Sequence, residues 1–298
     1  MPQQASKPLT LVRGARSRAR PWQLESLIRL FQHRLGLIGG GLIVVLVLMA
    51  VAAPLLAPYD PIDQIAQPFQ APGGDHLLGT DRFGRDIWSR LVFGSQTSLQ
   101  VGVISVSIAL LIGGSIGLIS GYYGGWFDSI VQRLIDIMLA FPGLILIIAI
   151  ASVLGPSLQN AMFAIGITAS PSFARLVRGS TLTIKQRQYI EAAQAIGARA
   201  PRIMLYGILP NIAAPVIVQT TLAFSGAILA EASLSFLGLG TQPPDPAWGT
   251  MLGEGRQFMS LAPWVAFYPG LAIALSVLGF NLLGDALRDT LDPSLRSA

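Results

Sequence analysis

Few side chains in this sequence are placed for covalent chemistry. It contains no cysteine, which excludes a thiol nucleophile, a disulfide framework and cysteine-ligated zinc or iron–sulfur centres. Its two histidines, His33 and His76, are far apart, and neither HExxH nor any paired-histidine metal spacing occurs. No GxxxxGK(S/T) phosphate loop is present, and no nucleophile–base pair points to an enzyme. The chemistry that remains is contact chemistry. The stretch Glu191-Ala-Ala-Gln-Ala-Ile-Gly197 continues through Arg199 and Arg202 to Ile208-Leu209-Pro210-Asn211. It is a short, basic, amphipathic segment between apolar spans, and such a segment touches a body outside the membrane. A second candidate is Glu231, a lone carboxylate within an apolar stretch. A carboxylate there is costly and faces a cavity or a partner. Glu231 is expected toward the outer end of its span, within reach of water, and both a transport role and a structural hydrogen-bonding role stay open for it. One carboxylate without a partnering charge is poor material for a proton relay, which weighs against an ion-coupled secondary transporter.

The elements that position these residues are membrane spans. Mean hydropathy is +0.59 and charged residues make up 12% of the 298, values of a polytopic membrane protein. We expect an all-α membrane protein with six transmembrane helices, near 35–57, 99–121, 137–154, 158–177, 212–237 and 263–284. The fourth is the weakest, diluted by Asn160, Ser170, Pro171 and Ser172. With the N-terminus inside, sixteen of the twenty basic residues fall on cytoplasmic segments and four on external ones. Basic residues resist translocation, so both termini and the Glu191 segment are expected in the cytoplasm. The charge of +5 follows this topology rather than a nucleic-acid face. The apolar stretch near the N-terminus is too long for a signal-peptide core, and Pro54 disfavours cleavage after Ala53, so a retained first span is expected.

The first external loop, 58–98, opens on Pro58-Tyr59-Asp60-Pro61 and ends in a short helix expected at the interface from Asp86, with Trp88 at headgroup level. Gly39, Gly40, Gly41, Gly113, Gly114 and Gly117 favour close helix approach. In the segment 180–211, Ala192, Ala193, Ala195 and Ile196 favour a helix that Gly197 ends. A second helix is expected from Pro201 to Leu209, where Pro210 interrupts.

The pattern of Glu191, Ala192, Ala193 and Gly197, followed by Leu209 and Pro210, resembles the EAA loop of permease subunits of bacterial ATP-binding cassette importers. The common pattern has Ile where this chain has Gly207. Two further stretches, His76 to Arg90 and Leu234 to Gly249, resemble the second permease subunit of the dipeptide, oligopeptide and nickel branch. The resemblance implies a type I importer permease fold and a bacterial cell-membrane location. The partners it implies are a homologous second permease, two cytoplasmic ATPases, an external substrate-binding protein and the bilayer. ATP and magnesium would sit on the ATPases, with no cofactor on this chain. Glu191 would be a polar anchor in an ATPase groove, Ala192 and Ala193 would allow close approach, and Gly197 would make the turn. The organisation expected is a basic tail (1–34), a first span with its long loop (35–95), a permease domain (96–290) carrying the coupling loop 180–211, and a C-terminal tail (291–298).

Overall fold

The computed structural model describes residues 34–291. The two tails expected at 1–34 and 291–298 lie outside them, apart from Arg34 and Leu291. Among the described residues the fold is helical, with only two isolated β-bridges, Gly73–His76 and Thr80–Asp86. Helix α1, Arg34–Val51, is extended by the single turn α2, Ala53–Leu56. Helix α3, Ile87–Ala109, passes through a π-turn, Leu110–Gly114, into α4, Ser115–Tyr123. Then follow α5, Gly125–Ala140, α6, Gly143–Leu154, and α7, Leu158–Lys185. The short α8, Gln188–Ala195, leads to α9, Ala200–Arg202. From there the chain runs through a π-turn and a 3-10 turn into α10, Ala213–Phe236. Helices α11, Trp248–Gly255, and α12, Trp264–Leu291, complete the bundle.

Four of these units are long and apolar enough to cross a membrane: Arg34–Val51, Ile87–Tyr123, Ala200–Phe236 and Trp264–Leu291. The span expected at 99–121 begins earlier. Asp86 caps α3 by accepting from the Ser89 amide at 2.8 Å, and the helix then runs on without a break. The helix expected to lie separately at the interface is therefore the first turns of a span, and the Trp88 indole donates to the Leu56 carbonyl at 2.9 Å. The span expected at 137–154 is broken: α5 and α6 meet at 95°. Pro142 lacks an amide hydrogen and pushes Phe141 into an extended conformation, which ends α5. The span expected at 158–177 is a helix of 28 residues, long enough at 1.5 Å per residue but too polar to qualify by composition.

Two apolar cores hold the bundle. One joins α3, α6, α7 and α10 through Val101, Ile147, Ile165, Phe173 and Ala227. The other joins α1, α3, α10, α11 and α12 through Leu46, Leu91, Ile228, Trp248 and Phe280. The glycines Gly113, Gly117 and Gly121 recur every fourth residue and lie against α7. A Cβ on Gly113 would sit 2.1 Å from the Ser170 carbonyl oxygen, and one on Gly117 2.3 Å from that of Ala174. Gly39 approaches α12 in the same way, whereas Gly40 and Gly41 face open space. Exposed Val44, Val45 and Leu48 on α1 make an outer surface suited to lipid.

Candidate functional site: the α7–α10 hairpin

The Glu191 segment is a helical hairpin beyond the ends of α7 and α10. Its foundation is apolar. Ile190, Ile203, Ile208 and Ile212 bury themselves with Val177 of α7, and Ala193 and Ala198 pack against the same cluster. Each large aliphatic side chain so buried contributes about 1.5–3 kcal/mol. Helix α8 thus presents Ile190 and Ala193 inward, three residues apart on one face. The outward face carries Glu191, Ala192, Gln194 and Ala195, all exposed.

Gly197 ends α8, as expected. Its φ of +80° is in the left-handed region, which glycine adopts without penalty. Around it the Gly197 amide donates to the Gln194 carbonyl at 3.0 Å, and the Ala198 amide to that of Ala193 at 3.0 Å. These are the two bonds of a Schellman motif, which uses helix-end carbonyls that would otherwise be unpaired.

Pro210 does not interrupt the second helix. Residues Ala200–Phe236 form one continuous helical unit. A proline within a regular helix lacks a donor and strikes the carbonyl four residues back. Here the chain winds as a π-turn over Ile203–Ile208 and as a 3-10 turn over Leu209–Ile212, which carries Pro210 in its first turn. The Gly207 carbonyl is taken up by side chains: Asn211 Nδ2 donates to it at 2.8 Å, and the Tyr189 hydroxyl at 3.4 Å. The second of these bonds ties α8 to the π-turn. Gly207 itself makes room, because a Cβ there would lie 2.8 Å from Ile190 Cδ1.

The expected site residues therefore come together on one unit, with divided roles. Glu191 and Ala192 face outward, and Glu191 makes no side-chain hydrogen bond or ion pair among the described residues. Ala193 turns inward, so its small size serves packing within the chain. Leu209 and Pro210 are exposed at the second strut. Sequence reasoning passed over the apolar rim: Ile196 is 86% exposed and Tyr206 78%, on the two sides of an open groove of about 510 Å³ that Tyr189 and Arg202 also line. Ile196 falls six residues from Ile190, about 240° around a helix, and that offset marks it as an apolar residue off the buried face.

Behind the hairpin, charged side chains of α7 tie that helix to α5 and α4. Arg178 grips Asp128 of α5 with two bonds, Nε to Oδ1 at 2.6 Å and Nη2 to Oδ2 at 2.5 Å. Arg175 pairs with Asp136 at 2.5 Å in the open. Lys185 donates to the Tyr122 carbonyl at the end of α4, at 2.5 Å. Three of the six basic residues counted for this segment are thereby engaged within the chain.

Residues 113–297 match the family described as binding-protein-dependent transport system inner membrane component. The chain belongs to this permease family. Residues 20–72 also match the N-terminal transmembrane domain of oligopeptide transport permease C. The chain is 48% identical to the dipeptide transport system permease protein DppC of Alkalihalophilus pseudofirmus, over 93% of this chain and 91% of that one. It is 46% identical to the di/tripeptide permease DppC of Pseudomonas aeruginosa, over 93% and 94%. It is 44% identical to the glutathione permease GsiD of Pectobacterium atrosepticum, over 93% and 92%. In fold it is similar to a chain of the MetNI methionine ABC transporter in inward-facing conformations, with TM-score 0.56 and 21% identity over 69% of this chain and 98% of that chain.

The second candidate in this permease, Glu231, is not within reach of water as expected. It is fully buried in α10. The Ser235 hydroxyl donates to its Oε1 at 2.5 Å and the Thr241 hydroxyl at 3.4 Å, while Thr241 donates its amide to Ser235 Oγ at 3.0 Å. The carboxylate thus organises the chain reversal after α10, where a Cβ on Gly240 would sit 2.2 Å from Ser235 Oγ. At that same end the long loop of the permease is locked by buried charges. Arg85 Nε bonds Asp81 at 2.6 Å and its Nη2 bonds Glu254 of α11 at 2.8 Å. Arg90 donates to the Pro61 and Pro244 carbonyls at 3.0 and 3.3 Å.

Proposed function

We propose that this chain is the second permease subunit of an ATP-driven importer of di- or oligopeptides, and that the α7–α10 hairpin receives the stroke of a cytoplasmic ATPase. The observation that carries the reading is the hairpin's construction: a turn exposing Ile196 and Tyr206, set on a buried apolar base and continuous with a 37-residue helical unit. A force on such a turn moves α10 rather than bending a loop. Contiguous exposed apolar side chains at a helix turn suit a protein partner. The basic-residue count puts this hairpin and both termini in the cytoplasm, with six helices crossing the bilayer. The broken α5–α6 unit and the polar α7 then act as spans whose polar faces are covered by the assembly.

In this reading the partners are a homologous permease, two ATPases that carry ATP and magnesium, and an external substrate-binding protein. The chain itself is a mechanical part without a cofactor, in the inner or plasma membrane of a bacterium. Peptide import is supported by relatives named for dipeptide, di/tripeptide and glutathione transport. Within that range the binding protein selects the cargo.

The test is purification of the tagged chain from its native membrane, as wild type and as Glu191→Arg combined with Gly197→Pro. Wild type is expected to bring a second permease and ATPases, and the double variant to keep the permease and lose the ATPases. Wild-type chain recovered intact without any ATPase would overturn the reading.

A further inference from the structure

Helix α5 runs across the bundle rather than along it. Gly124 and Gly125, both at φ +68°, turn the chain sharply out of α4. At the other end Phe141 and Pro142 set α6 at 95° to α5. Helix α6 belongs to the bundle, because Ile147 and Ala151 are buried with Val101 of α3 and Ile165 of α7. A short turn at residues 155–157 then folds α7 back beside it. The two ion pairs of α5 agree with a crossing. Asp128 and Asp136 are eight residues apart, about 12 Å along α5, yet they reach Arg178 and Arg175, only about 4.5 Å apart along α7. With 16 residues, α5 is about 24 Å long, too short to cross the hydrocarbon core by itself.

The side of α5 turned away from α7 is divided lengthwise. Trp126, Phe127, Ile130, Leu134 and Ile137 are exposed and fall within an arc of about 100°. Ser129, Arg133 and Asp136, also exposed, occupy the adjoining arc of about 60°. A helix surrounded by lipid exposes one kind of surface; a helix at the water boundary exposes two. Aromatic side chains mark the same level. Trp126 is 76% exposed, and Tyr123, three residues earlier, is exposed at the end of α4. Such rings favour the headgroup region. Arg133 lies at the seam of the two arcs. Unlike Arg175 and Arg178, it makes no ion pair or hydrogen bond among the described residues. A guanidinium at such a seam can take a phosphate by two parallel bonds.

We propose that α5 lies along the cytoplasmic leaflet as an interfacial helix, with its apolar arc among the acyl chains and Arg133 on the phosphates of anionic phospholipids. Helix α6 then carries the chain to the outer face, so that α5 and α6 together make one bent crossing. The lie of α5 across the bundle follows from the fold. The choice of leaflet rests on the cytoplasmic placement of the hairpin.

The absence of cysteine makes the test direct. Nitroxide labels at Phe127→Cys, Ile130→Cys, Leu134→Cys and Ile137→Cys would be measured for depth in the assembled complex, in vesicles of phosphatidylcholine and phosphatidylglycerol. All four should lie within a few ångströms of one depth. A spread near 15 Å, about the rise of ten residues in an upright helix, would overturn the proposal. So would labels shielded from both lipid-phase oxygen and a water-soluble relaxant, since a protein would then cover the face. Ser129→Cys should react with a charged, impermeant thiol reagent from the cytoplasmic side alone. Reaction from the outer side alone would overturn the leaflet together with the placement of the hairpin, whereas spread depths would leave that placement standing. A fluorophore at Ile137→Cys should be quenched a few-fold more by brominated phosphatidylglycerol than by brominated phosphatidylcholine, and Arg133→Gln should remove the preference. Equal quenching in the otherwise wild-type chain, or a preference that survives Arg133→Gln, would overturn the lipid contact assigned to Arg133.

Discussion

The two ends of this permease are built on opposite principles. At the loop end, around residues 58–86 and α11, buried charges do the fastening: Asp81, Arg85, Arg90 and Glu254 bridge segments far apart in sequence. At the hairpin end, five aliphatic side chains form the base, the charge pairs of Arg175 and Arg178 sit further back on α7, and the polar residues of α8 look outward. A buried charge network tolerates little displacement, because a broken pair leaves an uncompensated charge. An apolar base with an exposed rim holds its own shape and leaves its outer surface for another protein. The contrast suits the proposed coupling, in which the subunit is fixed at one end and pushed at the other.

The contrast breaks most visibly at Arg85. Arg85→Ala removes two charge-assisted bonds, to Asp81 and Glu254, each worth about 1.5–3 kcal/mol, and leaves only the longer contacts of Arg90 to Asp81 at 3.7 Å and Arg82 to Glu254 at 3.6 Å. Thermal unfolding in detergent should show a markedly lower midpoint, while Glu191→Ala on the exposed face of α8 should unfold as wild type. Ile190→Ala removes the centre of the hairpin's base at a cost of about 2–5 kcal/mol. Because that cluster lies at one end, the loss should appear first as faster proteolysis between residues 186 and 199. Gly197→Val forces a β-branched residue to a φ of +80°, a strain of about 1–3 kcal/mol at an exposed turn. It should sharply reduce ATPase recovery and shift the unfolding midpoint only slightly. Asn211→Ala gives up the bond to Gly207, worth about 0.5–1.5 kcal/mol. Its effect should be confined to faster amide exchange in the π-turn.

The sequence made the helical class, the apolar spans and the turn at Gly197 legible, because hydropathy and glycine chemistry are local signals. It misplaced what depends on neighbours. Pro210 looked like a stop, since nothing local announced that the preceding turn would widen or that Asn211 would take the Gly207 carbonyl. Glu231 looked wet because its depth was judged from position along a span, whereas its burial comes from Ser235 and the Thr241 reversal. The pairing of Asp128 with Arg178 spans fifty residues and left no local trace. The exposed rim of the candidate site was the least legible part. Ile196 and Tyr206 have the composition of core residues; the offset from Ile190 was the one local sign for Ile196, and for Tyr206 it is the fold that shows the side chain facing out.

The most direct test of the account is a single-cysteine crosslink from each end of the intact complex. Ile196→Cys at the hairpin rim and Leu77→Cys on the exposed loop, both in an otherwise cysteine-free chain, would be treated with a short bifunctional maleimide. A permease–ATPase product is expected from Ile196→Cys and none from Leu77→Cys. An ATPase adduct from Leu77→Cys, or none from Ile196→Cys in a complex that contains ATPase, would contradict it.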